Sequence, residues 1–239
     1  MDTLLKIIYS PVRAFQELKH AEKFPFMSLI VLLIVVIINN ILMIPVTVKI
    51  MELTFSSIQI PLNDEQTKQI DAIMQMMHKL RYLQAVAAVF TYLFTLVVYT
   101  LIIWVLTKIA KQSLSFQKAF ELIIHSCFVL SIGSLVNTFI LYGQGIENIK
   151  NIYEVSLTGL NLLTSTEQVG VTFYTFLTLI NPFYIWFLVI LTFGLTKLAD
   201  VKISKAFVTC FLFWIVLIAF PVVVTYFSQQ VMQKSGLIM

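Results

Sequence analysis

The chain has 239 residues, of which 59% are hydrophobic and 12% charged, with a formal net charge of +4 and a mean hydropathy of +0.92. Asp, Glu, Lys and Arg make up roughly a quarter of an ordinary soluble domain, so half that share, beside 20 Phe, cannot cover a surface in water. The composition excludes a soluble globular domain, and the small positive excess follows membrane topology instead of marking a nucleic-acid partner.

Residues 1–25, MDTLLKIIYSPVRAFQELKHAEKFP, lack the short apolar core and small-residue cleavage site of a secretory signal. They read as a cytoplasmic amphipathic segment ahead of a membrane domain over 26–239. Ser10 is placed to cap a helix, and Pro11 takes the first helical position, where its missing amide costs nothing. Val12, Phe15 and Leu18 then form one apolar face, so a short helix over 11–20 is expected to rest on the inner leaflet.

A helix needs roughly 20 apolar residues to cross the hydrocarbon core. Five stretches qualify: Phe26 to Val48, Leu83 to Leu106, Phe120 to Tyr142, Val171 to Leu195, and Phe207 to Phe227. The predicted fold class is therefore all-α, a polytopic membrane protein with five transmembrane helices. Between the first two spans, Ile70, Ile73, Met74, Met77 and Leu80 recur at helical spacing. That helix, with Asn63 as its cap and Asp64 and Glu65 in its first turn, lies on the outer leaflet or extends the second span. Its Met pair reads as packing surface, not a metal or cofactor site. Between the third and fourth spans, residues 143–170 are rich in Asn, Ser and Thr, with one short amphipathic helix marked by Ile146, Ile149, Ile152 and Tyr153.

Orientation follows the basic residues. Ten of the 16 Lys and Arg, but five of the 12 acids, fall on the side of the N-terminus and of the loops after the second and fourth spans, giving that side +5 and the other −1. The N-terminus is expected in the cytoplasm and the C-terminus outside, and the Lys-rich short loops favour a bacterial inner membrane.

Those two loops repeat each other. LTKIAKQSLSFQKAF at 106–120 is echoed by LTKLADVKISKAF at 195–207, and the tail appears a third time as SPVRAF at 10–15. Ser10, Ser115 and Ser204 are read as helix caps. The basic residue behind them, Arg13, Lys118 or Lys205, opposes the helix dipole at roughly 0.3–1 kcal/mol. Attraction to anionic lipid, about 1 kcal/mol per cation, matches or exceeds that, so these three are read as membrane-surface cations. The echo also implies a parallel repeat that pairs the second and third spans with the fourth and fifth.

Polar residues at membrane depth are the default functional candidates. Asn39, Asn40, Asn137 and Asn181 form a candidate intramembrane polar patch, set beside expected helix breaks at Pro45, Pro182 and Pro221. They line a solute path or they join helices, and joining weighs more because neutral amides satisfy one another. In the third span Ser126, Gly133 and Asn137 share a face suited to close helix approach. Glu121 and His125, four residues apart on one face, are a candidate ionisable pair, as a proton relay or as interfacial packing. Two ligands without a third make no metal site. Cys127 and Cys210, both within apolar runs, read as buried hydrophobes. No span carries Asp, and no HExxH, GxSxG or phosphate-cradling loop appears, so an enzyme is the least favoured class, and no cofactor or metal is expected.

SPVRAFQELKH ahead of the first span, INPFYIWFLVILTFGLTKLADVKISKAF at 180–207, and five spans with a cytoplasmic N-terminus together resemble the Yip domain family of Ypt-interacting proteins, in its bacterial form. That resemblance implies a non-enzymatic membrane protein that organises membrane or partner proteins. Its partners would be the lipid bilayer and other membrane proteins or copies of itself. The eukaryotic relatives are associated with Rab GTPases and with traffic between the endoplasmic reticulum and Golgi. They have a sizeable cytoplasmic N-terminal region, for which only one short helix stands here, so a GTPase partner is not expected. The alternative function is a transporter or channel for a small solute, ion or lipid, suggested by the prolines within spans.

Overall fold

A computed structural model describes residues 2–20, 25–56, 64–151, 153 and 155–234. Among them the regular structure is helical: α1 (Asp2–Tyr9), α2 (Pro11–Lys19), α3 (Phe26–Ser56), α4 (Asp64–Ile109), α5 (Phe116–Gln144), α6 (Thr166–Val169), α7 (Val171–Thr178), α8 (Pro182–Leu198) and α9 (Ile203–Lys234). Four of these, α3, α4, α5 and α9, are each long and apolar enough to cross a membrane. The pair α7 and α8, bent by 52° at a short break, passes the same test only when taken together, and makes a fifth crossing if the pair is one span.

The expected surface helix before the second span is continuous with it. At 1.5 Å per residue, α4 runs roughly 70 Å, more than twice the hydrocarbon core, and projects beyond it. Asn63, expected as its cap, lies outside the described residues, as do the side chains of Ile70, Ile73, Met74 and Met77. Leu80 is exposed. Of the helix expected over 146–153, a single 3-10 turn forms, Ile146–Asn148; Ile152 lies outside the described residues.

The centre of the bundle is α5. Of the residues in its most apolar window 67% are buried, against 17% in α3 and α4 and 22% in α9, whose apolar side chains face outward as lipid requires. One face of α5 meets α8, another α3 and α4. Cys127 and Cys210 are buried in this core, as expected. A second, smaller core of Val46, Leu141 and Ile149 closes the far end.

Only one of the three prolines breaks a helix. Pro182 is the first residue of α8, but α3 and α9 continue past Pro45 and Pro221. A proline removes one backbone hydrogen bond, and helical neighbours can absorb that in a bilayer. Near Pro45, the Tyr142 hydroxyl donates to the Leu42 carbonyl at 2.8 Å and ties α3 to α5. The break at Pro182 goes further because Asn181 turns its side chain into a cap.

The two echoed loops adopt the same turn. After α4, Lys111 N–H donates to Lys108 O (3.0 Å) and Gln112 N–H to Thr107 O (2.8 Å). After α8, Val201 N–H donates to Thr196 O (3.3 Å). Both close with the 6→1 bond of a Schellman motif, to which the first loop adds the 5→2 bond, each through a left-handed residue that is not glycine, Lys111 (φ 52°) and Asp200 (φ 50°). The likeness in sequence is thus a likeness of backbone at the turn.

Candidate functional site

The N-terminal helices carry the largest departure from expectation. α2 does not lie with its apolar face in the leaflet; that face is seated on α8. Phe15 and Ala14 are fully buried and Leu18 nearly so, and Phe15 belongs to the same core as Leu122, Leu191 and Leu195. The fit depends on Gly194: a Cβ there would meet the Phe15 ring at 2.7 and 2.8 Å, and Leu122 closer still. An apolar stripe is compatible with lipid or with a helix groove, and the small residue opposite it decides for the groove.

Lys118 and Glu121 lie beneath this seam. The Lys118 ammonium donates to the Leu18 carbonyl at 2.7 Å, at the C-terminal end of α2, where a helix dipole favours a cation. The same nitrogen stands 2.9 Å from Glu121 Oε2. Glu121 is fully buried and among the described residues neither of its oxygens accepts a well-directed hydrogen bond. His125, one turn on, is also fully buried. Its Nδ1 donates to the Glu121 carbonyl (2.7 Å), and Nε2 of the neutral ring therefore accepts from the Ser28 hydroxyl of α3 (3.1 Å). Phe15 meets the imidazole edge-on, with centroids 6.3 Å apart. The candidate pair thus becomes a cluster of Lys118, Glu121, His125 and Ser28 covered by α2. Around it, Lys6 pairs with Glu17 at 2.9 Å and Lys19 pairs with Asp200 in the turn after α8.

The repeated motif has a register that the letters conceal. Arg13, Lys118 and Lys205 are each the third residue of their helix, and Ala14, Ala119 and Ala206 the fourth. All three alanines are fully buried; the shared feature is a small residue at a close contact. The cations diverge: Arg13 and Lys205 are exposed, whereas Lys118 is engaged with Leu18 and Glu121. Of the three serines only Ser115 caps, its hydroxyl accepting from Lys118 N–H at 3.3 Å. Ser10 holds the cap position without a side-chain bond. Ser204 is the second residue inside α9, because its motif lacks the two residues that separate Ser from the cation in the other copies.

The four asparagines are engaged separately. Asn39 bridges α3 to α5, donating to Ser134 Oγ and accepting from Thr138 Oγ1, both at 2.8 Å. Asn40 donates to Val36 O within its own helix (2.8 Å) and borders an open groove with Gln84 and Thr91. Asn137 donates to Val155 O (2.8 Å) and accepts from Leu157 N–H (2.6 Å), pinning the segment before α6. Asn181 accepts from Phe183 and Tyr184 N–H, both at 3.0 Å, and donates to Thr178 O (3.0 Å), the carbonyl that Pro182 leaves free. Gly133, on the Asn137 face, packs against the Phe183 ring, and Ser126 is fully buried.

Sequence reasoning missed Asn161 and Tyr174. Asn161 is fully buried and donates to Ser156 O (2.7 Å) and the Tyr174 hydroxyl (3.0 Å). The segment around it also donates Leu160 N–H to Ile180 O (3.1 Å) at the helix break. The only signal was an Asn between two leucines in an otherwise aperiodic loop.

Apolar helices long enough to span, asparagines hydrogen-bonded among them, and a buried ionic cluster at one end define a polytopic α-helical integral membrane protein. Within that class the chain belongs to the Yip1 domain family, whose model matches residues 5–224. No curated protein and no solved structure matches it.

Proposed function

We propose that this protein is a non-enzymatic scaffold that organises other membrane proteins, or copies of itself, in a bacterial inner membrane. Its N-terminus and two echoed turns face the cytoplasm and its C-terminus faces outward. The observation that supports this reading is the engagement of the span asparagines: Asn39, Asn137 and Asn181 have their amides bound to protein groups on both sides, which suits joints better than a solute path. The docked α1 and α2 add a fixed cytoplasmic surface, with Arg13, Gln16 and Glu17 exposed on it.

The test is reconstitution of the full chain into liposomes, with release of small solutes and ions and lipid scrambling followed against empty vesicles. The scaffold reading expects no flux above background. Flux that Asn39→Leu or Asn181→Leu abolishes would establish the carrier reading, which draws on the α7–α8 break. Labelling from outside intact cells should reach neither Lys111→Cys nor Lys202→Cys.

A further inference from the structure

The two echoed turns meet where α4 ends and α9 begins. Gln112, buried, reaches from the first turn to α9, its Nε2 donating to Thr209 Oγ1 (2.8 Å) and Lys205 O (3.4 Å). Lys108 and Lys111 stand in that first turn, joined through Lys111 N–H to Lys108 O. Lys202 already keeps the register of α9, its carbonyl accepting from Ala206 N–H at 3.0 Å. Lys202, Lys205 and Thr209 therefore share the face of α9 that receives Gln112. All four lysines are exposed, and among the described residues none stands within ion-pairing distance of an acid. Asp200, the acid of the second turn, is taken up by Lys19. The apolar edge beside the cations is open too: Ile109 is 73% exposed, Ile203 52% and Phe207 47%. Lys108 Nζ lies 5.6 Å from the centre of the Trp104 ring, and Trp belongs at the headgroup level of a bilayer.

We propose that this junction binds one phospholipid that carries two phosphodiesters, of the diphosphatidylglycerol type, with one phosphate on Lys108 and Lys111 and the other on Lys202 and Lys205. Basic pockets between spans at a membrane surface take such headgroups. Four cations without a free acid call for more than one negative charge, and they come as a pair from each turn. Two separate lipids would each lose their own mobility, whereas one lipid with linked phosphates loses it once. A soluble anion would gain nothing from Ile109, Ile203 and Phe207, which stand where acyl chains follow a headgroup. Diffuse attraction asks only for charge; this junction asks for the two phosphates together.

The test is native mass spectrometry of the full chain in neutral detergent, titrated with diphosphatidylglycerol, phosphatidylglycerol and phosphatidylcholine. One diphosphatidylglycerol should bind, more tightly than phosphatidylglycerol at equal phosphate concentration by about tenfold or more, and phosphatidylcholine should stay at background. Lys111→Gln with Lys205→Gln takes one cation from each pair and should weaken binding about 25-fold, at about fivefold, or about 1 kcal/mol, per cation. The same two positions changed to Arg should bind as the wild type does, which separates charge from folding. Lys49→Gln with Lys150→Gln, at the opposite end of the bundle, changes net charge equally and should leave the affinity unaltered. Equal affinity per phosphate for the two anionic lipids, binding that survives the first Gln pair, an equal loss in the second, or no binding at all would overturn the proposal. So would equally tight binding of the deacylated headgroup.

Discussion

Replacing Phe15 by Ala should release the N-terminal helices from the bundle while leaving the spans folded. Phe15 is fully buried against α5 and α8, and truncating such a ring costs about 3–5 kcal/mol. Gly194 has no side chain with which to fill the space, so the upper part of that range applies. At a tenfold change per 1.4 kcal/mol, the population with α2 undocked should rise by roughly three to three and a half orders of magnitude. Amide exchange of α2, measured by mass spectrometry in neutral detergent, reads that opening directly. Protection across α2 should fall toward that of an open peptide, while Leu122–Val129 of α5 stays protected. Phe26→Ala, at a side chain 63% exposed, is the control and should change nothing in α2. A seat on anionic lipid would make α2 unprotected in neutral detergent from the start. Strong protection in the wild type that survives Phe15→Ala, or its absence in the wild type, would refute the docking.

Four further outcomes test the rest. Gly194→Ala places a Cβ against Phe15 and Leu122 and should destabilise docking by about 1–3 kcal/mol through overpacking; combined with Phe15→Leu the loss should be less than additive in a double-mutant cycle. Lys118→Met leaves the Glu121 carboxylate buried without its ion pair and should cost about 3–5 kcal/mol, whereas the Lys118→Met, Glu121→Gln pair should recover most of it in denaturation followed in micelles. Asn181→Ala should cost about 1–2 kcal/mol as a lost helix cap, with Asn181→Ser retaining part of that, read as the shift in thermal midpoint. Lys111→Gly should stabilise by up to about 1 kcal/mol, because glycine takes a positive φ without strain; Asp200→Gly should gain less, having also lost its pair with Lys19.

What could be read from the letters alone was whatever the bilayer imposes on every residue. Four long apolar helices, the helix ahead of them and the break at Pro182 follow from length, apolarity and the missing proline amide, and helices stand at those places. Pair-specific facts were hidden. Nothing in SPVRAF says whether Phe15 meets lipid or protein; that answer is held by Gly194, about 180 residues away. Lys118 did announce itself, as a cation placed against its own helix dipole, but anionic lipid explained it equally well until α2 supplied the Leu18 carbonyl. The asparagines were legible as polar residues in need of partners, and not as to which ones, because Ser134, Thr138 and Thr178 are too common in apolar helices to stand out. Asn161 sits in a loop whose conformation comes from contacts with α5 and α7, so no periodicity pointed to it.

The dependence of α2 on α8 has a consequence for biogenesis. A ribosome adding about 5–20 residues per second delivers Gly194 roughly 10–40 s after Phe15. Throughout that interval the nascent chain holds an apolar stripe whose final seat has not yet been made. Such a delay invites transient shelter by the insertion machinery or the lipid headgroups, and it makes closure of the N-terminal helices one of the last steps of assembly, attained only after the fourth crossing has entered the membrane.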